Sequence, residues 1–141
     1  IRRAAAAIAS ASLTKTSAAV IDLWSEEFII QLHKRMFGMV WKWAGQFRRV
    51  ETNIGIDWTK IALELKLLVD DTNFWVEHQS YMPEEISIRF KHRLVSIHCF
   101  PNGNGRHSRM MADIIMESIF GNEIFSWHQS NRYRVSLRLK K

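Results

Sequence analysis

Cysteine is almost absent from this sequence: Cys99 is the single one among 141 residues. One thiol cannot form an internal disulfide, so the chain is not a small secreted domain held together by disulfide bridges. A reducing compartment, the cytoplasm, is the expected location.

Long apolar runs are missing as well. No stretch is long enough to span a bilayer, so no membrane partner is expected. Residues 1–8 loosely imitate a secretory signal, but there is no initiator Met and alanine makes a weakly apolar segment, so we reject that interpretation. The missing Met and the abrupt basic end at residues 138–141 predict that the chain is a fragment.

Acidic residues are in the minority, with 14 Asp and Glu against 20 Lys and Arg and a formal net charge of +6. This charge permits anionic partners, nucleotides and nucleic acids alike. The basic residues are scattered, as on an ordinary solvated surface, so no nucleic acid is expected. Nucleic-acid binding is kept as the last alternative; it rests on charge alone and predicts a steep salt dependence.

Apolar residues are abundant, at 47% with six Trp and eight Phe, which predicts one globular domain with one core. The fold class expected from their spacing is all-α, a mostly helical single domain with a short β-hairpin flap. We divide the chain into an Ala/Ser-rich, helical N-terminal segment (residues 1–20), a main domain (residues 21–127) and a basic tail (residues 128–141).

The apolar spacing predicts helices within residues 22–41, from Asp57 or Thr59 to about His78, from Pro83 to Ile97 and from Arg106 to Phe120. Ser25 is predicted to cap the first of them and Gly121 to end the last. Residues 47–56 mix aromatic and β-branched side chains and favour a hairpin or extended flap. The predicted buried positions are Phe28, Ile29, Leu32, Met36, Phe37, Val40, Ile61, Leu65, Leu68, Phe74 or Trp75, Ile86, Phe90, Leu94, Ile97 and the apolar residues of 110–119.

The loop between the last two helices carries the chemistry. Gly103, Asn104 and Gly105 lie just before a helix start, where free backbone N–H groups and the helix dipole form an anion site. Glycine there lets a phosphate approach closely. Arg106 and Arg109 are three residues apart, so they share one helix face and can pair with phosphate oxygens.

His98 enters this loop and is the nearby side chain that can accept a proton near neutral pH. It is either the base for an incoming hydroxyl or a histidine that only binds loop backbone. Asn102 either bonds the loop backbone or offers its oxygen to a metal. No acidic residue lies in the loop, so bound Mg²⁺ would be held mostly by the nucleotide's phosphates.

Other candidate groups receive structural interpretations. Phe100 is predicted to anchor the loop in the core, and Cys99 to be a buried, inert thiol. His107 is predicted on the surface, and His33 on the outer edge of its helix. The remaining histidines show no zinc spacing with one another or with Cys99 and are taken as surface or core residues: His78, His92 and His128.

The stretch His98-x-Phe100-x-Asn102-Gly103-Asn104-Gly105-Arg106-x-x-Arg109 closely resembles the signature of Fic (Fido) domain proteins, H-x-F-x-[D/E]-G-N-G-R-x-x-R. Residues 32–37 and 43–48 resemble a second feature of that family, upstream of the flap. The likeness covers roughly residues 23–127 and is most like the bacterial branch called mobile mystery protein B.

The resemblance implies a Fic fold and a protein adenylyltransferase that moves AMP from Mg-ATP (or Mn-ATP) to a Ser, Thr or Tyr hydroxyl of a target protein. His98 would be the general base. Gly103, Asn104, Gly105 and Arg106 would hold the phosphates, and Arg109 the γ-phosphate. The target would dock as an added strand along the flap, formed by Val50, Thr52, Asn53, Ile54, Gly55 and Ile56.

Asn102 departs from the family pattern, which has Asp or Glu there for Mg²⁺. A catalytically weak or inactive nucleotide-binding regulatory module is therefore the main alternative. A Doc-like phosphotransferase ranks lower, because that branch has Ala and Lys within the stretch that here reads Gly103 to Arg106. The family's inhibitory motif has no match in the chain, so the inhibitor is absent, on a missing terminus or on a separate antitoxin chain.

Overall fold

A computed structural model describes residues 25–121 of the chain. Within that range the helices are α1 (Glu26–Phe37), α2 (Ile61–Glu77), α3 (Pro83–Ile97) and α4 (Asn104–Ile114). A 3₁₀ turn (Trp58–Lys60) precedes α2, and a π-helical segment (Ile115–Ile119) continues α4. The predictions for residues 1–20 and 128–141 lie outside the described residues.

Helix α1 begins as the sequence predicted but ends earlier. The Ser25 hydroxyl accepts the backbone N–H of Phe28 at 3.1 Å, and two glutamates follow in the first turn. The predicted continuation of the helix to Val40 is wrong, because the helix stops at Phe37 with Gly38 as its C-cap. Val40, predicted to be buried, is 71% exposed.

Helix α3 lies at the centre and packs against both α2 and α4. Pro83 occupies its first turn, where a missing N–H costs nothing. Phe90 is fully buried on its inner face, and the core continues into α1 and α4. The same helix also buries Lys91. The predicted core members of the first three helices are otherwise buried, except the partly exposed Met36 and Trp75 and the exposed Phe74.

Helix α4 starts two residues before its predicted first residue, Arg106, since Asn104 already belongs to it. Its C-terminal part widens into the π-helical segment, which the apolar spacing did not distinguish from α-helix. Gly121 follows with φ +67°, the left-handed conformation expected of a residue that ends a helix.

The predicted β-hairpin is wrong: residues 47–56 form an irregular loop, and no strand occurs in the described part of the chain. We call residues 50–56 the flap. The carbonyls of Val50 and Ile56, at its two ends, accept hydrogen bonds from the Arg48 guanidinium. Those acceptors are therefore engaged by a side chain, whereas a hairpin needs carbonyls for bonds between its strands.

None of the helices between residues 25 and 121 is long and apolar enough to cross a membrane.

Candidate functional site

His98 lies where α3 ends and the loop begins. Its backbone adopts φ 57° and ψ 61°, a left-handed conformation uncommon for a residue with a side chain. The chain turns there from α3 into residues 99–103, and α4 begins at Asn104. The partly exposed imidazole therefore lies beside the N-terminus of α4.

The side chain of Asn104 closes the loop. Its Oδ1 accepts the N–H of Phe100 at 3.0 Å, and its Nδ2 donates to the carbonyl of Phe100 at 2.7 Å. Nδ2 also lies 3.4 Å from Nδ1 of His98. This last contact is long for a hydrogen bond, and such catalytic contacts commonly tighten only when substrate binds. One buried amide therefore holds the loop in shape and faces the imidazole.

The N-terminus of α4 is built to receive an anion. Gly103 caps the helix and has no side chain, so among the described residues no capping side chain covers the N–H groups of the first turn. An added Cβ on Gly105 would meet the Arg109 guanidinium at 3.6 Å and no other described atom within 4 Å, so there is open space beside Gly105. Backbone donors and the helix dipole favour an anion such as phosphate at this turn.

Gly103 is required for a reason the sequence did not reveal. Its φ is +80°, and an added Cβ would lie 2.7 Å from the Phe37 ring. The expectation that glycine admits a phosphate fits Gly105, which has open space. At Gly103, glycine instead provides the left-handed turn and close packing on α1.

The two arginines point differently. Arg109 lies over Gly105, beside the first turn of α4. The exposed guanidinium of Arg106 lies 4.7 Å from the centre of the Phe37 ring and 5.8 Å from that of Trp41, a cation–π arrangement. Arg106 therefore contacts an aromatic surface rather than the loop.

Asn102 is exposed, and its Oδ1 accepts the N–H of Gly103 at 2.7 Å. One lone pair of that oxygen remains, so it could be a single neutral ligand to a metal. In the described part of the chain, no three His, Cys, Asp or Glu side chains are grouped to hold a metal ion. A single neutral ligand fits only an ion whose other ligands come from elsewhere.

His33 was predicted at the outer edge of α1, and this was wrong: it is fully buried. Its Nδ1 accepts the N–H of Gly45 at 2.9 Å, and its Nε2 lies 3.0 Å from the carbonyl of Asn102. The ring stacks on Phe100, with centroids 3.7 Å apart. Burial lowers the pKa of His33, while the bond to Asn102 opposes that effect. A site-supporting residue was thus missed, although Leu32-His33 had been recognised as part of the family resemblance.

His107, predicted on the surface, is buried too. Its Nε2 lies 2.9 Å from the carbonyl of Ile29 in α1, and its ring meets Phe100 edge-on. Burial, then the nearby His33, lowers the pKa of His107 to about 3, so it is neutral at physiological pH. Phe100 itself is fully buried between these histidines.

Arg48 is the second residue that sequence reasoning missed. It is 2% exposed, yet the hydrogen-bond partners of its guanidinium are backbone carbonyls. Two belong to the end of α3, Ile97 and His98, and two to the flap, Val50 and Ile56. Its backbone N–H also donates to the carbonyl of Cys99 at 2.9 Å. Because every residue has a backbone carbonyl, the sequence does not show which carbonyls a distant side chain binds.

The flap crosses directly beside the imidazole. Gly55 has φ +98°, and an added Cβ there would lie 2.6 Å from Cβ of His98 and 2.8 Å from Nη2 of Arg48. Val50 and Ile54 are 63% and 65% exposed. The flap thus packs on His98 and presents apolar side chains to solvent.

Electrostatics keep the imidazole neutral and the thiol protonated. Burial, followed by the positive charge of Arg48, lowers the pKa of His98. Burial raises the pKa of Cys99 to about 12, so the predicted inert thiol is confirmed. A neutral imidazole is equipped to accept a proton.

Comparison with known proteins gives the family of this chain. The model of the Fic/DOC family matches residues 23–116. Over 116 residues, 79% of this chain, the sequence is 32% identical to protein adenylyltransferase Fic of Drosophila yakuba and 31% identical to that of Drosophila melanogaster. The chain spans 23% and 24% of the length of these relatives.

Solved structures show the same fold. A Fic domain containing signaling protein from Bacteroides thetaiotaomicron superposes with a TM-score of 0.65 at 20% identity, over 81% of this chain and 47% of its own. Fic-1 from C. elegans gives a TM-score of 0.61 at 27% identity, over 82% of this chain and 36% of its own. The chain therefore belongs to the Fic/DOC family.

Proposed function

We propose that this protein is an adenylyltransferase that moves AMP from ATP to a hydroxyl group of a target protein. One observation carries the proposal: the His98 imidazole and the uncapped first turn of α4 lie side by side, and Asn104 contacts both. The names of the curated relatives, protein adenylyltransferase Fic, support the same chemistry.

These positions support the proposed reaction. The target's hydroxyl oxygen attacks the α-phosphorus of ATP while His98 takes the hydroxyl proton. The bond from the α-phosphorus to its bridging oxygen breaks, and pyrophosphate leaves. Backbone N–H groups of Gly105 and Arg106 would stabilise the charge on the phosphates, and Arg109 would bind the γ-phosphate. The guanidinium of Arg106 would have to leave the Phe37 ring to reach the phosphates.

A divalent ion, Mg²⁺ or Mn²⁺, would supply further charge neutralisation on the phosphates. Asn102 would be its protein ligand, with the remaining positions filled by phosphate oxygens and water. A neutral amide holds such an ion more weakly than a carboxylate. We therefore expect this protein to need a higher Mg²⁺ or Mn²⁺ concentration for activity than a variant with a carboxylate at position 102.

The target protein is proposed to bind along the flap, through the exposed side chains of Val50 and Ile54. An inhibitory segment or a separate antitoxin is a second proposed partner. From the reading Pro-Asn-Gly-Asn-Gly-Arg-His of residues 101–107, we also propose that the chain belongs to the bacterial mobile mystery protein B branch. From its single cysteine we propose that it acts in the cytoplasm.

Asn102 motivates the alternative function, a nucleotide-binding module without turnover. In that case ATP would bind with little dependence on Mg²⁺, and neither the protein nor an Asn102→Asp variant would transfer AMP. A Doc-like phosphotransferase would instead add a phosphate, and mass spectrometry of the product separates the two transfers.

The experiment is incubation of the 141-residue chain with α-labelled ATP, Mg²⁺ or Mn²⁺ and a cell extract. Labelled protein bands are expected, and the His98→Ala variant should give none. His92→Ala is the matched control, since His92 is an exposed histidine of the same helix. An absence of labelling by the unaltered chain, or labelling that survives His98→Ala, contradicts the proposal.

A further inference from the structure

One side chain of α1 holds the loop between α3 and α4, residues 99–103, at the end next to α4. His33 reaches across 69 positions of sequence to the carbonyl of Asn102, which directly precedes the left-handed Gly103. Asn104 holds the other end of this loop, next to α3, through its two hydrogen bonds to the backbone of Phe100. Two buried side chains, those of His33 and Asn104, therefore set the orientation of the N–H groups in the first turn of α4.

The two partners of His33 fix its tautomer. The N–H of Gly45 can only donate, so Nδ1 must accept. The carbonyl of Asn102 can only accept, so Nε2 must carry the proton and donate. A neutral imidazole with its proton on Nε2 satisfies both contacts, whereas a second proton on Nδ1 would face the N–H of Gly45. His33 is therefore a directional link from the Trp43–Gly45 turn to the loop.

We propose that His33 is a positioning residue, which sets the peptide between Asn102 and Gly103 and thereby aims the N–H groups of the phosphate site. The inference rests on the proposed function for its link to catalysis, but its structural content does not. His33 touches no reacting atom; it acts through the carbonyl of Asn102 and through its stack on Phe100.

The two hydrogen bonds can be separated with two substitutions. His33→Gln places an amide N–H near the Nε2 position and keeps the donor to Asn102. His33→Asn places an amide oxygen near the Nδ1 position and keeps the acceptor for Gly45. His107→Gln is the matched control, because His107 is equally buried and also contacts a carbonyl and Phe100, but its carbonyl belongs to Ile29 and not to the loop.

The first readout is the amide NMR spectrum of Gly103 and Gly105, together with the Kd for a non-hydrolysable ATP analogue. We expect His33→Asn to shift both glycine amides and to raise Kd about tenfold, equivalent to about 1.4 kcal/mol. His33→Gln should stay within about threefold of the unaltered chain, as should His107→Gln, measured on folded protein. Equal effects of the Gln and Asn variants, or unmoved glycine amides in His33→Asn, overturn the proposal.

A second measurement needs no substitution. The two-bond ¹H–¹⁵N spectrum of the unaltered chain reports which ring nitrogen of His33 carries the proton, and the proposal requires Nε2; protonated Nδ1 refutes it, even if both variants fail to fold. Failure of the proposed function is recognised separately, by absence of AMP transfer from the unaltered chain. The glycine amides and the tautomer test His33 regardless of that result.

Discussion

The guanidinium of Arg48 donates through Nε to the backbone carbonyl of His98 at 2.5 Å. The same side chain binds carbonyls at both ends of the flap, so the flap and the proposed base are held by one buried cation. Those carbonyls carry partial negative charge, and those of Ile97 and His98 lie at the negative end of the α3 dipole. This explains how a buried guanidinium is stabilised by backbone acceptors.

Removal of the Arg48 side chain should therefore destabilise the fold and release the flap. In Arg48→Met the carbonyls lose their donor, and we expect the free energy of unfolding to fall by about 3 kcal/mol. Arg48→Lys should be nearly as harmful, because one ammonium cannot replace the planar fork. Urea unfolding measures the loss, with the exposed Arg49→Met as the control. A change in Arg48→Met no larger than the control's contradicts this account.

The two loop glycines should respond in opposite ways to alanine. Gly103→Ala forces a Cβ into the Phe37 ring at a positive φ, which should cost about 2 kcal/mol of stability. Gly105→Ala lies inside a helix with open space beside it, so stability should hold while ATP binding weakens, since the methyl group occupies the phosphate site. Thermal unfolding and calorimetric titration with ATP measure the two effects. Loss of stability in Gly105→Ala, or none in Gly103→Ala, would show that the roles are misassigned.

Stability should fall as the solution is acidified. The pKa of His107 drops from an ordinary 6.5 to about 3 on folding, chiefly because of burial. Between these values the unfolded chain binds a proton that the folded chain does not, so the free energy of unfolding decreases as pH falls from 6.5 towards 3. The lowered pKa values of His33 and His98 act in the same direction.

Urea unfolding at pH 7 and pH 5 tests this, because most carboxylates remain ionised across that interval. The loss of stability on acidification should be smaller in His107→Gln, which keeps an N–H donor but does not titrate. An equal loss in the variant and the unaltered chain would remove His107 as its cause.

A carboxylate at position 102 should strengthen the metal site. Asn102→Asp keeps an oxygen to accept the N–H of Gly103 and adds a negative charge for the ion. The Mg²⁺ concentration that gives half-maximal AMP labelling should fall about tenfold, since hard cations prefer charged oxygen ligands. Asn102→Ala should raise it. If all three proteins share one Mg²⁺ dependence, residue 102 does not contact the metal.

The sequence allowed the helical fold and its order to be predicted because burial follows helical spacing. Ser25, Pro83 and Gly121 mark helix ends through local backbone chemistry, and each was found where expected. The end of α1 was misplaced because Val40 continued the apolar spacing past Gly38. The hairpin prediction failed because strand-like composition in residues 47–56 was outweighed by Arg48, whose guanidinium takes the flap's carbonyls.

The sequence by itself determined the contents of the loop: the histidine at its entry, the glycines and the arginines of the following helix all lie within residues 98–109, the stretch that resembles the family signature. Only the tertiary structure decided what holds the loop, because the supports come from far along the chain. His33 and Arg48 contact it through backbone carbonyls, and carbonyls are present at every residue. Side-chain patterns cannot reveal which carbonyl a distant side chain meets; that is decided by how α1, the flap and α3 pack together.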